Sequence, residues 1–138
     1  MKKIIFPASI FVFSACLRGP LKPAGPAANF EFSAYEVVET PAEDAREFVA
    51  VLVDGQDKGR TPVAPKSQLK SWRAELPAGN YPMRFEVWDS TDGISGARRP
   101  DELQPRERFI RIEPGQKTVV VLKFYDKGRQ NYLYITRD

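Results

Sequence analysis

Chemistry needs nucleophiles, proton carriers or concentrated charge, and this 138-residue sequence holds a narrow set of them. Its only thiol is Cys16, and it has no histidine. Ser-His-Asp and Cys-His catalysis and His-based zinc sites are therefore excluded. A single cysteine also excludes an intrachain disulfide, so Cys16 is acylated, free, or bridged to another molecule. The 18 Asp and Glu residues could supply an acid–base pair for glycoside cleavage. They are scattered with no motif to position two of them, so no enzyme activity is expected. Asp54-Gly55-Gln56-Asp57 and Asp89-Ser90-Thr91-Asp92-Gly93 gather oxygens, but neither has the alternate-residue spacing of an EF-hand loop. Asp and Gly are turn formers, and both stretches read as turns, with no metal or cofactor expected.

The most individual segment runs from Ser90 to Arg108 and contains Arg98-Arg99-Pro100-Asp101-Glu102 and Arg106-Glu107-Arg108. Guanidinium forks match the carboxylates and phosphates of cell-wall or lipid headgroups, which makes Arg98, Arg99, Arg106 and Arg108 the candidate binding residues. The plainer reading is preferred: a solvated, self-neutralising loop, with Arg106, Arg108 and Arg111 on one solvent face of a strand. The formal charge is +3, and without Lys2 and Lys3 it falls to +1. A nearly neutral surface lacks the dense basic face that nucleic acid requires, so no nucleic-acid partner is expected.

The surroundings of Cys16 suggest what its sulfur does. Lys2 and Lys3 precede the apolar run from Ile4 to Phe13, which ends in the small residues Ser14 and Ala15. This is the build of a secretory signal peptide, and the run is too short to span a bilayer as a helix, which takes about 20 residues. Phe13-Ser14-Ala15-Cys16 resembles a bacterial lipobox, although Phe13 stands where the pattern prefers an aliphatic residue. The resemblance implies that the thiol takes diacylglycerol as a thioether before cleavage ahead of Cys16, giving membrane lipid as a partner. Two or three acyl chains anchor stably where one is marginal, at about 0.8 kcal/mol per buried methylene. Leu17 replaces the Asp that in many such proteins signals inner-membrane retention, which favours the outer membrane.

Three parts follow: a signal peptide over residues 1–15, a Pro/Ala/Gly-rich tether over 16–29 and one folded domain over 30–138. Pro20, Pro23 and Pro26 lie three residues apart, a spacing that suits polyproline II. At about 3.1 Å per residue the tether reaches some 40 Å from the membrane. From Phe30 onward apolar residues recur with period two. Strands are expected at 30–34, 48–53, 72–76, 81–88, 108–112, 118–125 and 132–136, separated by Gly- and Pro-bearing turns. About seven strands predict an all-β, immunoglobulin-like sandwich. Thr40-Pro41-Ala42-Glu43 has the residues of a capping box and predicts one helical turn. Trp72 and Trp88 are expected in the core, and exposure of either would point to a ligand.

The stretch Val51-Leu52-Val53-Asp54-Gly55-Gln56-Asp57-Lys58-Gly59-Arg60-Thr61-Pro62 resembles the opening of a PEGA domain: a strand, a VDG turn, a second Gly, then TP. Leu76-Pro77-Ala78-Gly79-Asn80-Tyr81 and Glu113-Pro114-Gly115-Gln116 are similar to that family's later turns, Gly55 and Gly79 being expected to supply positive φ. The resemblance spans roughly residues 48 to 125, with longer intervals after Val63 and after Trp88. It implies a small sandwich of bacterial envelope proteins with no catalytic residues. The expectation is a lipid-anchored, non-enzymatic binding or structural module with an envelope protein or glycan as partner. Its rivals are an accessory subunit of an envelope secretion or assembly complex, and a carboxylate-dependent enzyme on envelope glycans.

Overall fold

The computed structural model describes residues 28–138; the expected export signal, Cys16 and most of the tether lie outside the described residues. The fold is all-β, with ten strands in two sheets. They are β1 (Phe30–Glu36), β2 (Arg46–Val53), β3 (Gln56–Arg60), β4 (Ala64–Pro65), β5 (Lys70–Ala74), β6 (Gly79–Ser90), β7 (Ala97–Arg98), β8 (Arg108–Ile112), β9 (Thr118–Tyr125) and β10 (Gln130–Arg137).

One sheet has the order β10-β9-β1-β5, with β1 parallel to β9 and the other pairs antiparallel. The second runs β3-β2-β6-β7; β4 shares an edge of β2 with β3, and β8 shares an edge of β6 with β7. All seven expected strands are present. The additional three are the polar β3 and the two-residue strands β4 and β7, which carry too few apolar residues to register a period of two.

Alternation along each strand fills the core. Phe30, Phe32 and Ala34 of β1 and Val120, Leu122 and Phe124 of β9 face Val49, Val51 and Val53 of β2, Met83, Phe85 and Val87 of β6, and Ile110 and Ile112 of β8. Phe32 and Phe85 stack across the sheets with ring centroids 4.3 Å apart. The domain is fastened at Asn29, whose side-chain amide exchanges two hydrogen bonds with the backbone of Leu76, at 2.7 and 2.8 Å. This fastening lies one residue before β1.

The VDG–TP stretch is a hairpin whose residues have separable roles. Asp54 and Gly55 adopt φ of 55° and 78°, the paired positive angles of a tight turn between β2 and β3. Gly79 also has positive φ, at 159°, near extended backbone. The Thr61 hydroxyl accepts a hydrogen bond from the Val49 amide at 3.0 Å, replacing a strand partner just before Pro62. At Gly59 an added Cβ would lie 2.4 Å from Trp72 Nε1. Trp72 comes from β5 of the opposite sheet and packs edge-on against Phe30 with centroids 6.1 Å apart. Gly59→Ala is therefore expected to lose about 1–3 kcal/mol by overpacking. Urea denaturation followed by Trp fluorescence checks it, against a Gly115→Ala control in a turn where an added Cβ meets nothing within 4 Å but φ is 74°. The control reports backbone strain alone, so only a loss at Gly59 exceeding that at Gly115 supports the Trp72 clash.

The turn at 41–43 is a single 3-10 turn. The Thr40 hydroxyl does not cap the backbone; it donates to the Glu43 carboxylate at 2.8 Å, while the Glu43 amide donates to the Thr40 carbonyl at 3.0 Å. Among the described residues no helix is long and apolar enough to cross a membrane.

Candidate functional site

The four arginines singled out from the sequence go to three different places. Arg99, expected in a solvated loop, is 4% exposed and points into the protein. Its guanidinium reaches Glu47 at 2.7 Å, Asp89 at 3.0 Å and Glu36 at 3.3 Å. Glu47 also lies 3.1 Å from Lys70 Nζ, and that ammonium donates to the carbonyls of Gln68, Pro65 and Lys66 at 2.7, 3.0 and 3.2 Å. Glu36 and Lys70 belong to one sheet and Glu47 and Asp89 to the other, so the network staples the sandwich at one end. An added Cβ on Gly128 would meet the Arg99 guanidinium at 2.9 Å, so the turn after β9 also closes over it.

Burial raises the Glu47 carboxyl above the ordinary glutamate range, against the pull of Lys70 and Arg99. It lowers the Lys70 ammonium in the same way, against Glu47. For Arg99 burial also works against the charge, yet Glu47, Asp89 and Glu36 outweigh it and hold the group ionised. The three carboxylates that the fold gathers at one place are all turned on this one cation. They form a structural charge cluster whose members are already occupied.

The rest of the loop is largely exposed, as expected, but it is tied down at Gln104. Gln104 exchanges hydrogen bonds with the backbone of Val87 at 2.8 and 3.1 Å, acting as a strand partner on the β6 edge between β7 and β8. Its amide also donates to the Arg99 carbonyl at 2.9 Å. Arg98 stays on the outer face, bridging Asp101 at 2.7 Å and Glu86 at 3.3 Å.

Arg106 and Arg108 line a cleft of about 470 Å³ on the open side of the sandwich, between the start of β8 and the edge strand β10. Arg129, from the turn before β10, completes a group of three guanidinium-bearing residues there, with Gln104 and Asn131 on the walls. Arg106 and Arg108 take part in none of the ion pairs found among the described residues, whereas Arg129 lies 3.2 Å from Asp126. Glu102 and Glu107 also border the cleft, leaving an excess of one positive charge. The expected common face for Arg106, Arg108 and Arg111 is not formed. Strand alternation puts Arg108 in phase with the buried Ile110 and Ile112, and Arg111 in phase with Phe109, which is 67% exposed. Arg108 escapes burial because it sits where the sandwich opens. Arg129 was not singled out; the only sequence signal was its place after the Lys127-Gly128 turn.

A second concavity, of about 400 Å³, lies on the outer face of the β2–β6 sheet. Phe48 and Trp88 face each other in register and stack with centroids 5.9 Å apart, and the Arg60 guanidinium lies 4.5 Å from the Phe48 ring centroid. The loop after β6 forms one wall, and it is held by Asp92. That carboxylate accepts from the amides of Ile94 and Ser95 at 2.8 Å and from the Ser95 hydroxyl at 2.7 Å. These bonds keep the Asp92 carboxyl far below the usual aspartate range. The Asp-rich stretch is thus a turn that satisfies itself, and among the described residues no group of three or more Asp, Glu, Cys or His is placed to hold a metal ion. Of the two tryptophans, Trp72 packs on the core and Trp88 does not.

Comparison with protein-family models, with curated proteins and with solved structures returns no match. Fold and geometry define the class: a small all-β sandwich with a buried ionic staple and two open concavities.

Proposed function

We propose that the protein is a lipoprotein of the bacterial cell envelope, anchored through Cys16 and held at the outer membrane. Its sandwich is a PEGA-like, non-enzymatic module that binds an anionic envelope component. The observation that carries the binding half of this reading is the cleft holding Arg106, Arg108 and Arg129. Two of the three guanidinium groups have no carboxylate partner among the described residues, and planar forks of this kind grip carboxylate or phosphate oxygens in pairs. The support for anchoring is the sequence around Cys16: a basic start, a short apolar run and two small residues before the thiol.

The binding half is tested by NMR of the detergent-purified protein titrated with inorganic phosphate. The expected result is a saturable movement of the Arg106, Arg108 and Arg129 side-chain signals, weakened about tenfold by Arg106→Ala together with Arg108→Ala. Both positions are exposed, so fold stability is expected to stay within about 0.5 kcal/mol of the parent. Signals that ignore phosphate, or a double variant that binds as well as the parent, would contradict the reading.

An accessory subunit of an envelope complex is the second reading, favoured by β10. This eight-residue strand is a sheet edge, and it presents Tyr132 and Tyr134 at 54% and 50% exposure. An unpaired edge of that length can accept a strand from another chain. Recovery of a complex of fixed stoichiometry from detergent-solubilised membranes would favour it.

A further inference from the structure

The outer-face groove beside β2 lies apart from the arginine cleft, and its residues are of a different chemical kind. Its floor is the Phe48–Trp88 stack, with Arg60 layered on Phe48. Its rim carries Asp57, whose Oδ1 accepts from the Gly59 amide at 3.0 Å and whose other oxygen has no hydrogen bond among the described residues. Glu86 lies on the same wall but is engaged by Arg84 at 3.0 Å and Arg98 at 3.3 Å. Ile94, 74% exposed, stands at the tip of the loop that Asp92 holds rigid. The Trp88 indole N–H is screened from solvent and has no hydrogen-bond partner among the described residues. An unmet buried donor is costly, and native proteins leave few of them.

Loop placement is specific as well. An added Cβ on Gly96 would lie 2.9 Å from the Phe48 ring and 2.7 Å from the Asp89 carbonyl. The main chain therefore comes down onto the edge of the aromatic stack and shapes one end of the groove. A ligand entering here meets an aromatic and aliphatic surface together with a carboxylate and a guanidinium at the border. An apolar ligand would leave those two charges unused, and an anion drawn to Arg60 would be opposed by Asp57. A pyranose ring fits both demands, since its C–H faces pack on aromatic rings while its hydroxyls both donate and accept in the plane. The volume, about 400 Å³, lies within the ordinary range of small-ligand sites.

We propose that this groove is a glycan-binding site, in which a pyranose ring packs against Trp88 and Ile94 while its hydroxyls donate to Asp57 and accept from Arg60. The proposal stands independently of the arginine cleft. It is tested on the full protein, purified in a detergent without a sugar headgroup, by following the two indole N–H signals in NMR titrations. The probes are maltotriose, cellotriose and the N-acetylglucosamine trisaccharide, each taken to about 10 mM, a range suited to millimolar affinity. At least one probe is expected to shift the Trp88 signal saturably while leaving Trp72 in place. Asp57→Asn and Ile94→Ala, both at exposed positions, are expected to weaken that binding by about tenfold with the spectrum otherwise preserved. The proposal is overturned if all three sugars leave Trp88 unmoved, if both indoles drift together without saturation, or if the two variants titrate like the parent. A Trp88 response to a hydrophobic dye alone would also overturn it.

Discussion

Arg99→Met is expected to lower the unfolding free energy by about 3–5 kcal/mol, because it removes a cation from three carboxylates and leaves at least two of them buried without it. Glu36 and Glu47 are 3% and 0% exposed, while Asp89 retains access to water. Small domains have only about 5–15 kcal/mol in total, so a loss of this size brings the variant close to unfolding. Methionine restores much of the side-chain volume, which separates the charge effect from a simple cavity. Arg99→Lys is expected to recover little, since one ammonium cannot reach Glu36, Glu47 and Asp89 as the three-nitrogen fork does. Urea denaturation followed by circular dichroism measures both variants. A loss below about 1 kcal/mol for Arg99→Met would mean that the network does not hold the two sheets together.

The second large effect concerns location. Cys16→Ala is expected to move the protein from the membrane fraction almost entirely into the soluble fraction and to abolish incorporation of a fatty-acid analogue. Two or three acyl chains contribute tens of methylene groups at about 0.8 kcal/mol each, and no feature of the described domain replaces them. Equal labelling of parent and variant would contradict anchoring through this residue. The domain itself should fold unchanged, because among the described residues the first to bond to it is Asn29, well after the cysteine in sequence.

How far the sequence discloses the molecule depends on which force acts at each place. The seven strands read from alternation are those whose apolar residues face the core, as in Phe30-Phe32-Ala34 and Met83-Phe85-Val87. The polar β3 and the short β4 and β7 form because a neighbouring strand offers hydrogen bonds, and residue types alone do not disclose that. Asp54-Gly55 was legible because tight turns demand positive φ. The ionic staple was missed, although a signal was present. Glu36 continues the inward phase of Phe30, Phe32 and Ala34, and Glu47 that of Val49, Val51 and Val53, while Lys70 is in phase with Trp72 and Ala74. A charge on the inward phase of a strand needs a buried partner, and Arg99 meets that need from a distant loop.

The candidate sites were legible only in part for a related reason. Arg106 and Arg108 were singled out, but Arg129 joins them through the packing of two sheet edges, which no local pattern encodes. Trp88 alternates with Met83, Phe85 and Val87 on β6 and so belongs to the outer face by parity. Its meaning appears only when β3 brings Asp57 and Arg60 beside it and the Asp92 turn brings Ile94 over it.

Whether the protein works attached to a membrane is answered most directly by intact-mass spectrometry of material isolated from native membranes. The account predicts a polypeptide beginning at Cys16 that carries the added mass of a diacylglyceryl group. A chain that retains residues 1–15, or one that begins elsewhere with an unmodified Cys16 thiol, would contradict it.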